Sequence, residues 1–251
     1  MSSPSSASVE LIEALVDANH ILYHQGIVDA FGHVSVRHDR DPSRFLLARN
    51  MAPGRVQAPD IVEYAVDSGE ALQADAPRGY LERYIHSEIY KARPDVMAVV
   101  HNHSPAVLPF CIARGARLRP VCHMAGFLGG SAMRDGPALF EIREHAGTAS
   151  NLLVSSRELG AALAHTLGAS RVVLMRGHGC TVVGESLAVA VFRAVYTEVN
   201  AKLVLQTLPL GELNALTPEE ADATRITNEG QAARPWDLWR EQARAQRGLA
   251  P

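Results

Sequence analysis

Apolar residues recur at three- and four-residue steps from Val9 to about Gln25. Leu11, Leu15, Ala18 and Leu22 share one side, a spacing that predicts an amphipathic helix stopped by Gly26. At HVSVRH (33–38) and RFLLA (44–48) β-branched and apolar residues take over, and Asp39, Asp41 and Pro42 between them mark a turn, so a hairpin is expected. Helical spacing returns with Ile85 and Ile89, predicting a helix from about Tyr80 to Ala92 that Arg93-Pro94-Asp95 ends. VMAVV (96–100) is a continuous apolar run and reads as a buried strand, and RVVLM (171–175) reads as another. Residues 104–147 are mixed, with an apolar stretch near Cys111 and a loop-like FLGGS at 127–131. Ser155 and Glu158 form a capping box for a helix ending at Gly168. A longer helix is expected from about Ser186 to Gln206, centred on Val191, Val195 and Val199. From Pro209 the chain turns more polar and carries both tryptophans, Trp236 and Trp239.

Strands and helices mix without strict alternation, and no Gly/Pro/Ser-rich linker divides the 251 residues. The expectation is one α/β domain over 1–251, a mixed sheet flanked by helices. Residues 1–8 are read as a frayed Ser/Pro tail and 209–251 as a C-terminal extension. Composition adds mainly exclusions. A hydrophobic fraction of 47% argues against disorder, and a net charge of −3 gives no basic surface for nucleic acid. No apolar run reaches the roughly 18 residues of a membrane span. Cys111, Cys122 and Cys180 are too scattered for a disulfide framework or a C-x-x-C pair. With no basic-then-apolar leader, a cytoplasmic location is expected.

Chemistry concentrates where two of the apolar runs end. His101-Asn102-His103 follows VMAVV. Side chains two apart in a strand share a face, so an extended backbone through residue 103 lets both imidazoles reach one ion. A bare H-x-H equally suits two polar histidines at an exposed strand end. Arg176-Gly177-His178-Gly179 follows RVVLM, and its glycines let the backbone turn around the imidazole; alone, it equally suits a structural turn. Together, two histidine clusters at strand ends, where α/β sheets place their sites, favour three neutral imidazoles around an ion with an open position. Glu82 lies nineteen residues before His101, at the start of the helix leading into that strand. If the helix–strand turn is tight, Glu82 meets the histidines as ligand or general acid/base. It suits a plain helix-start carboxylate too.

Glu82, ARPDVMAVVHNHS and the later RGHG with its long helix resemble the class II aldolase/adducin family, and GHVSVR (32–37) is similar to that family's G-N-x-S-x-R segment. The likeness spans roughly residues 9–206. It implies a single three-layer αβα domain around a mixed, largely antiparallel sheet, in a homo-oligomer, usually a tetramer, with sites at subunit interfaces. It implies that His101, His103 and His178 ligate a divalent metal and that Glu82 is the catalytic acid/base. Three imidazoles suit Zn, Mn, Fe or Co.

The departures bear on substrate. Where sugar-phosphate members carry an Asn, a Thr/Ser-Gly turn and a Ser-Ser pair for phosphate, this chain has His33, Ala48-Arg49-Asn50 and Tyr80-Leu81. The small groups that cradle a phosphate dianion are gone. Arg49 stands at the former turn, where a guanidinium suits a planar carboxylate, though a solvated strand-end charge reads the same. GHVSVRH, RFLLARNMAP, LERYIHSEIY and CHMAGFLG resemble a branch of decarboxylases acting on hydroxylated aromatic or pyridine dicarboxylates. The resemblance therefore implies a metal-dependent decarboxylase, with His33 and Arg49 holding substrate and His123 and Tyr196 lining the pocket. The alternatives are an aldolase or epimerase of a non-phosphorylated hydroxy-carbonyl compound and a non-catalytic adducin-like module, the latter disfavoured by the complete Glu–His set.

Overall fold

The computed structural model describes residues 6–131 and 133–249. Its strands are β1 (His33–Arg37), β2 (Arg44–Ala48), β3 (Ile61–Ala65), β4 (Ala98–Asn102), β5 (Ala138–Phe140), β6 (Val172–Met175) and β7 (Gly179–Gly184). They form one sheet in the order β3-β2-β1-β4-β7-β6-β5. Only β5 and β6 pair in parallel; every other neighbour is antiparallel. The helices are α1 (Val9–His24), α2 (Arg83–Ala92), α3 (Leu108–Ile112), α4 (Arg143–Ala146), α5 (Arg157–Leu167), α6 (Leu187–Thr207), α7 (Pro218–Glu229) and α8 (Ala233–Gln246). This is the expected three-layer, mixed and largely antiparallel α/β fold. No helix among the described residues is long and apolar enough to cross a membrane.

The period-two rule sorts the strand side chains between two layers. Val34 and Val36 of β1, Val100 of β4 and Val182 of β7 point to the α1/α6 side and join Leu15, Leu22, Val191 and Val195 in one core. Phe45 and Leu47 of β2, Val99 of β4 and Val183 of β7 point to the α2/α5 side and join Ile85, Ile89 and Leu163 in a second. His33 and Ser35 alternate with Val34 and Val36, so they too face α2. The sheet's centre on that side is therefore polar.

Several boundaries differ from the sequence expectation. The second helix begins at Arg83, because Tyr80–Glu82 form a turn closed by Arg83 N–H on Tyr80 O (3.5 Å). Glu82 thus sits at the helix N-cap rather than inside it. The strand expected at 96–100 runs two residues later, because Val96 N–H is still in a turn on Arg93 O (3.1 Å). Ser156, not Ser155, caps α5, its Oγ accepting from Leu159 N–H at 3.3 Å. β3, β5 and β7 were not anticipated: IVEYA is only half-buried, ALF is three residues long, and CTVV is masked by a glycine at either end. At the N-terminus, residues 1–5 of the expected tail lie outside the described residues, Ala7 is already buried, and Ser8 caps α1. The 209–251 segment, as far as it is described, forms α7 and α8; α8 packs on α1 and α6.

Candidate metal centre

β4 lies between β1 and β7, and each central strand delivers part of one cluster. His101 is the fourth residue of β4, paired with His33 of β1 and Thr181 of β7. β4 ends at Asn102, yet His103 still lies on His101's side, their rings edge to face with centroids 4.9 Å apart. His178 reaches the same point from the hairpin between β6 and β7, whose connection is Arg176-Gly177-His178. Two glycines make that placement possible. Gly177 adopts φ +64°, a left-handed conformation that side chains disfavour. At Gly179 a Cβ would lie 2.1 Å from Asn102 O, so only glycine lets the hairpin close on β4.

Glu82, His101, His103 and His178 each offer one ligand atom, all within 4.8 Å of one another. Nε2 of His101 lies 3.1 Å from Nε2 of His103, near the roughly 3.3 Å edge of a tetrahedron of nitrogens around one small ion. Glu82 Oε2 is 3.6 Å from His101 Nε2 and 3.5 Å from His178 Nε2. The surroundings orient each donor. His178 Nδ1 donates to Leu152 O at 2.9 Å, which leaves Nε2 bare. His101 Nδ1 lies 3.3 Å from Thr181 Oγ1, whose own hydrogen is directed at Met175 Sδ, so His101 Nε2 is bare as well. Glu82 Oε1 accepts Val154 N–H at 2.9 Å, turning Oε2 inward. Leu152 is the one non-glycine residue with positive φ (68°) among those described; the 152–154 loop that carries it fixes two of the four donors.

The electrostatics fit a cation. Burial, then the neighbouring histidines, holds His101 well below the ordinary histidine range, so it is a neutral ligand at physiological pH. Burial and His178 also lower His103. For His178 burial is again the largest influence, but the hydrogen bond and charge of Glu82 with the Leu152 carbonyl outweigh it and raise the pKa. Converging lone pairs and one carboxylate, half-shielded from water, are what a divalent ion satisfies and what no protein cation here does. The donor set, imidazoles with one carboxylate, suits a first-row metal.

Around the quartet stand residues that sequence reasoning weighed and others it missed. His33 is buried and packs on His101 (centroids 5.0 Å) and Tyr80 (4.6 Å). Arg49 sits farther out: its Nε pairs with Asp60 at 2.7 Å, its side chain is 42% exposed, and its charge is felt by Tyr80. His123 is exposed at the start of the 3-10 segment His123–Leu128, held through its carbonyl by Asn228. Tyr196 packs on Phe192 and Trp239 in the α6/α8 layer, across the sheet from the quartet. Neither joins the cluster within one chain. Missed altogether were Ser35, His86 and Tyr90, all buried. His33 Nδ1 lies 2.6 Å from His86 Nε2, His86 Nδ1 2.6 Å from Ser35 Oγ, and Ser35 Oγ 2.8 Å from Tyr90 Oη. The signal was legible: Glu82, His86 and Tyr90 are four apart and share one helix face. Arg37, the last residue of the GHVSVR segment, spends its guanidinium on four backbone carbonyls, those of Pro42, Tyr90, Arg93 and Val96.

Residues 13–205 match the family model described as Class II Aldolase and Adducin N-terminal domain. The chain is 37% identical to the decarboxylase tropJ of Talaromyces stipitatus, over 95% of both chains. It is 29% identical to a 3,4-dihydroxyphthalate decarboxylase of Arthrobacter keyseri, over 92% of this chain and 91% of that one. Among solved structures, an L-fuculose 1-phosphate aldolase from Glaciozyma antarctica PI12 superposes with a TM-score of 0.74 at 21% identity, covering 97% of this chain and 95% of the other; at that identity the likeness speaks for the fold.

Proposed function

The chain belongs to the class II aldolase and adducin family, and from that membership we propose that it is a metal-dependent decarboxylase of a hydroxylated aromatic or pyridine carboxylate. The observation that carries the reading is the match, end to end, to relatives named decarboxylases by a chain that keeps the whole Glu82–His101–His103–His178 set. A protein used only for interactions has no need of four converging metal donors.

When bound, a divalent ion supplies Lewis-acid stabilisation of a negative oxygen; Zn or Mn fits the donors best, with Fe and Co as further candidates. His101, His103 and His178 would hold it. Glu82, with Oε2 turned inward, is the proton carrier of this proposal. Delivering a proton to the ring carbon that bears the carboxylate, as the neighbouring hydroxyl loses its own, converts the hydroxyarene to its keto tautomer, a β-keto acid. The bond to the carboxylate then breaks, its electron pair passes into the ring carbonyl, and CO2 leaves. The delivered proton stays on carbon. Rim residue Arg49 would bind a second carboxylate and His33 an oxygen nearer the ion. Support for a carboxylate over a phosphate ester comes from the pocket's composition, since His33, Tyr80 and Arg49 occupy the places of small phosphate-binding groups.

A homotetramer, implied by the family likeness, belongs to the same proposal. In such an assembly His123 and Tyr196, which lie off the quartet within one chain, would line a neighbouring copy's pocket. A cytoplasmic location is consistent with three free cysteines, all with thiols pushed up in pKa by burial. The test is CO2 release from a panel of hydroxylated phthalates and pyridine dicarboxylates, with fuculose and ribulose phosphates as controls. Turnover of a panel member with none of the sugar phosphates supports the reading. Aldol cleavage of a sugar phosphate above about 10⁴ M⁻¹s⁻¹ would overturn it.

A further inference from the structure

The buried chain His33–His86–Ser35–Tyr90 contains two hydroxyl hydrogens and two hydrogen bonds that involve a hydroxyl. Tyr90 and Ser35 share one bond; Ser35 and His86 share the other. Tyr90 is 1% exposed and Ser35 and His86 are 0% exposed, so these groups are shielded from bulk solvent. Leaving a buried hydroxyl hydrogen without an acceptor forfeits its hydration with nothing in return. Both hydrogens are used only one way. Tyr90 donates to Ser35, and Ser35 donates to His86 Nδ1. Reversing the first bond strands the Tyr90 hydrogen, and reversing the second strands that of Ser35, because among the described residues neither hydroxyl meets another acceptor. Arg37 stands over the Tyr90 ring at 4.7 Å, and its positive charge makes the phenol a better donor in the same direction.

The direction propagates. His86 accepts at Nδ1, so it carries its hydrogen on Nε2 and donates it to His33 Nδ1. His33 then accepts at Nδ1 and carries its own hydrogen on Nε2, the nitrogen with no protein partner among the described residues. We infer that Ser35, His86 and Tyr90 are positioning residues that lock His33 as an Nε2–H donor toward the pocket, so that it binds an anionic substrate oxygen and cannot serve as the proton-accepting base. The substrate consequence, which rests on the decarboxylase reading, is a requirement for an acceptor oxygen beside the metal-binding groups: a deprotonated carboxylate satisfies it and an amide nitrogen or a methyl group does not. Proton transfer is thereby left to Glu82.

The tautomer is measurable without turnover. Long-range ¹H–¹⁵N correlation spectra of the metal-free protein, with the His33 signals assigned through His33→Asn, should show Nε2 protonated and Nδ1 bare. An Nδ1–H tautomer at His33 overturns the proposal outright, whatever the enzyme turns over. The Ser35→Ala/Tyr90→Phe double variant removes both hydroxyls together and strands neither. It should give a mixture of His33 tautomers and bind salicylate to the zinc-loaded protein about tenfold more weakly, while Ser35→Thr, which keeps the hydroxyl, should match the wild type in both. An unchanged tautomer and an unchanged salicylate Kd in the double variant would show that the chain positions nothing. If the expected tautomer is found and the substrate panel releases no CO2, the decarboxylase reading fails and the donor assignment stands.

Discussion

The two sides of the central sheet receive side chains from the same strands, and they are built on opposite principles. Toward α1 and α6 the inner strands send Val34, Val36, Val100 and Val182, which fill a dry core. Toward α2 the neighbouring positions are His33, Ser35 and His101, which meet Glu82, His86 and Tyr90 in a buried polar layer. Packing density is the requirement on the first side, and small errors there are absorbed as lost stability. Hydrogen-bond completeness is the requirement on the second, because each buried polar atom must find a partner. The polar side can be rigid only where partners are matched, and that rigidity aims the donors of the quartet. Both sides carry a hydrophobic core, and the chemistry sits on the α2 side.

Removing one imidazole should be the most damaging intervention. In His101→Ala the remaining donors lose their most buried member, and elemental analysis should find well under one divalent ion per chain, against about one in the wild type. Equal metal content in both would dissolve the polar side's claim to be a metal centre. Next in size is Glu82→Gln, which keeps the shape and loses the exchangeable proton. We expect kcat to fall by about 10²–10⁴-fold with metal content retained. Metal lost first, and rate partly restored by added metal, would instead make Glu82 a ligand, and full activity would reduce it to a helix-start carboxylate.

The pH dependence of stability, compared between wild type and a variant outside the quartet, sharpens the contrast further. Burial pushes the pKa of His86 from 6.5 down to about 3, so the folded protein keeps it neutral while the unfolded chain takes up a proton. Its contribution is present above pH 6.5 and is lost as the pH falls toward 3, by several kcal/mol in all. His86→Gln should flatten that part of the stability curve relative to wild type in urea unfolding; an identical acid limb would mean that His86 is hydrated. On the opposite side, Val100→Thr places one hydroxyl in the dry layer with almost no change of shape. It should cost about 1–3 kcal/mol in the same assay while metal content and kcat stay at wild-type levels. A comparable loss of activity would show that the two sides are not independent. Arg49→Lys should produce the smallest effect. Arg49 is partly exposed and already paired with Asp60, so we expect KM for a dicarboxylate to rise severalfold with kcat near wild type, because lysine keeps the charge and loses the planar fork. Unchanged kinetics would leave Arg49 as a surface charge.

Local patterns in the sequence determined much of this. The 9–25 periodicity, the 33–48 hairpin and the 186–206 helix are each set by neighbours a few residues apart, and all three are present within a residue or two of their expected ends. His101 and His103 could be paired because strand alternation is local. The tight Arg93-Pro94-Asp95 turn made it arguable that Glu82 returns to their end of the unit, as it does at 3.6 Å. Half-buried or very short strands such as β3 and β5 escaped because pairing, a long-range event, defines them. Only the tertiary structure decided that His178 joins His101 across the β6–β7 hairpin, that the 152–154 loop orients both His178 and Glu82, and that Tyr196 falls on the far side of the sheet. The run Glu82, His86, Tyr90 was visible in the sequence as one helix face, and His33, Ser35 as one strand face. That the two faces meet, and so force a direction on the hydrogens between them, depends on strand order and on burial, neither of which any local window of sequence contains.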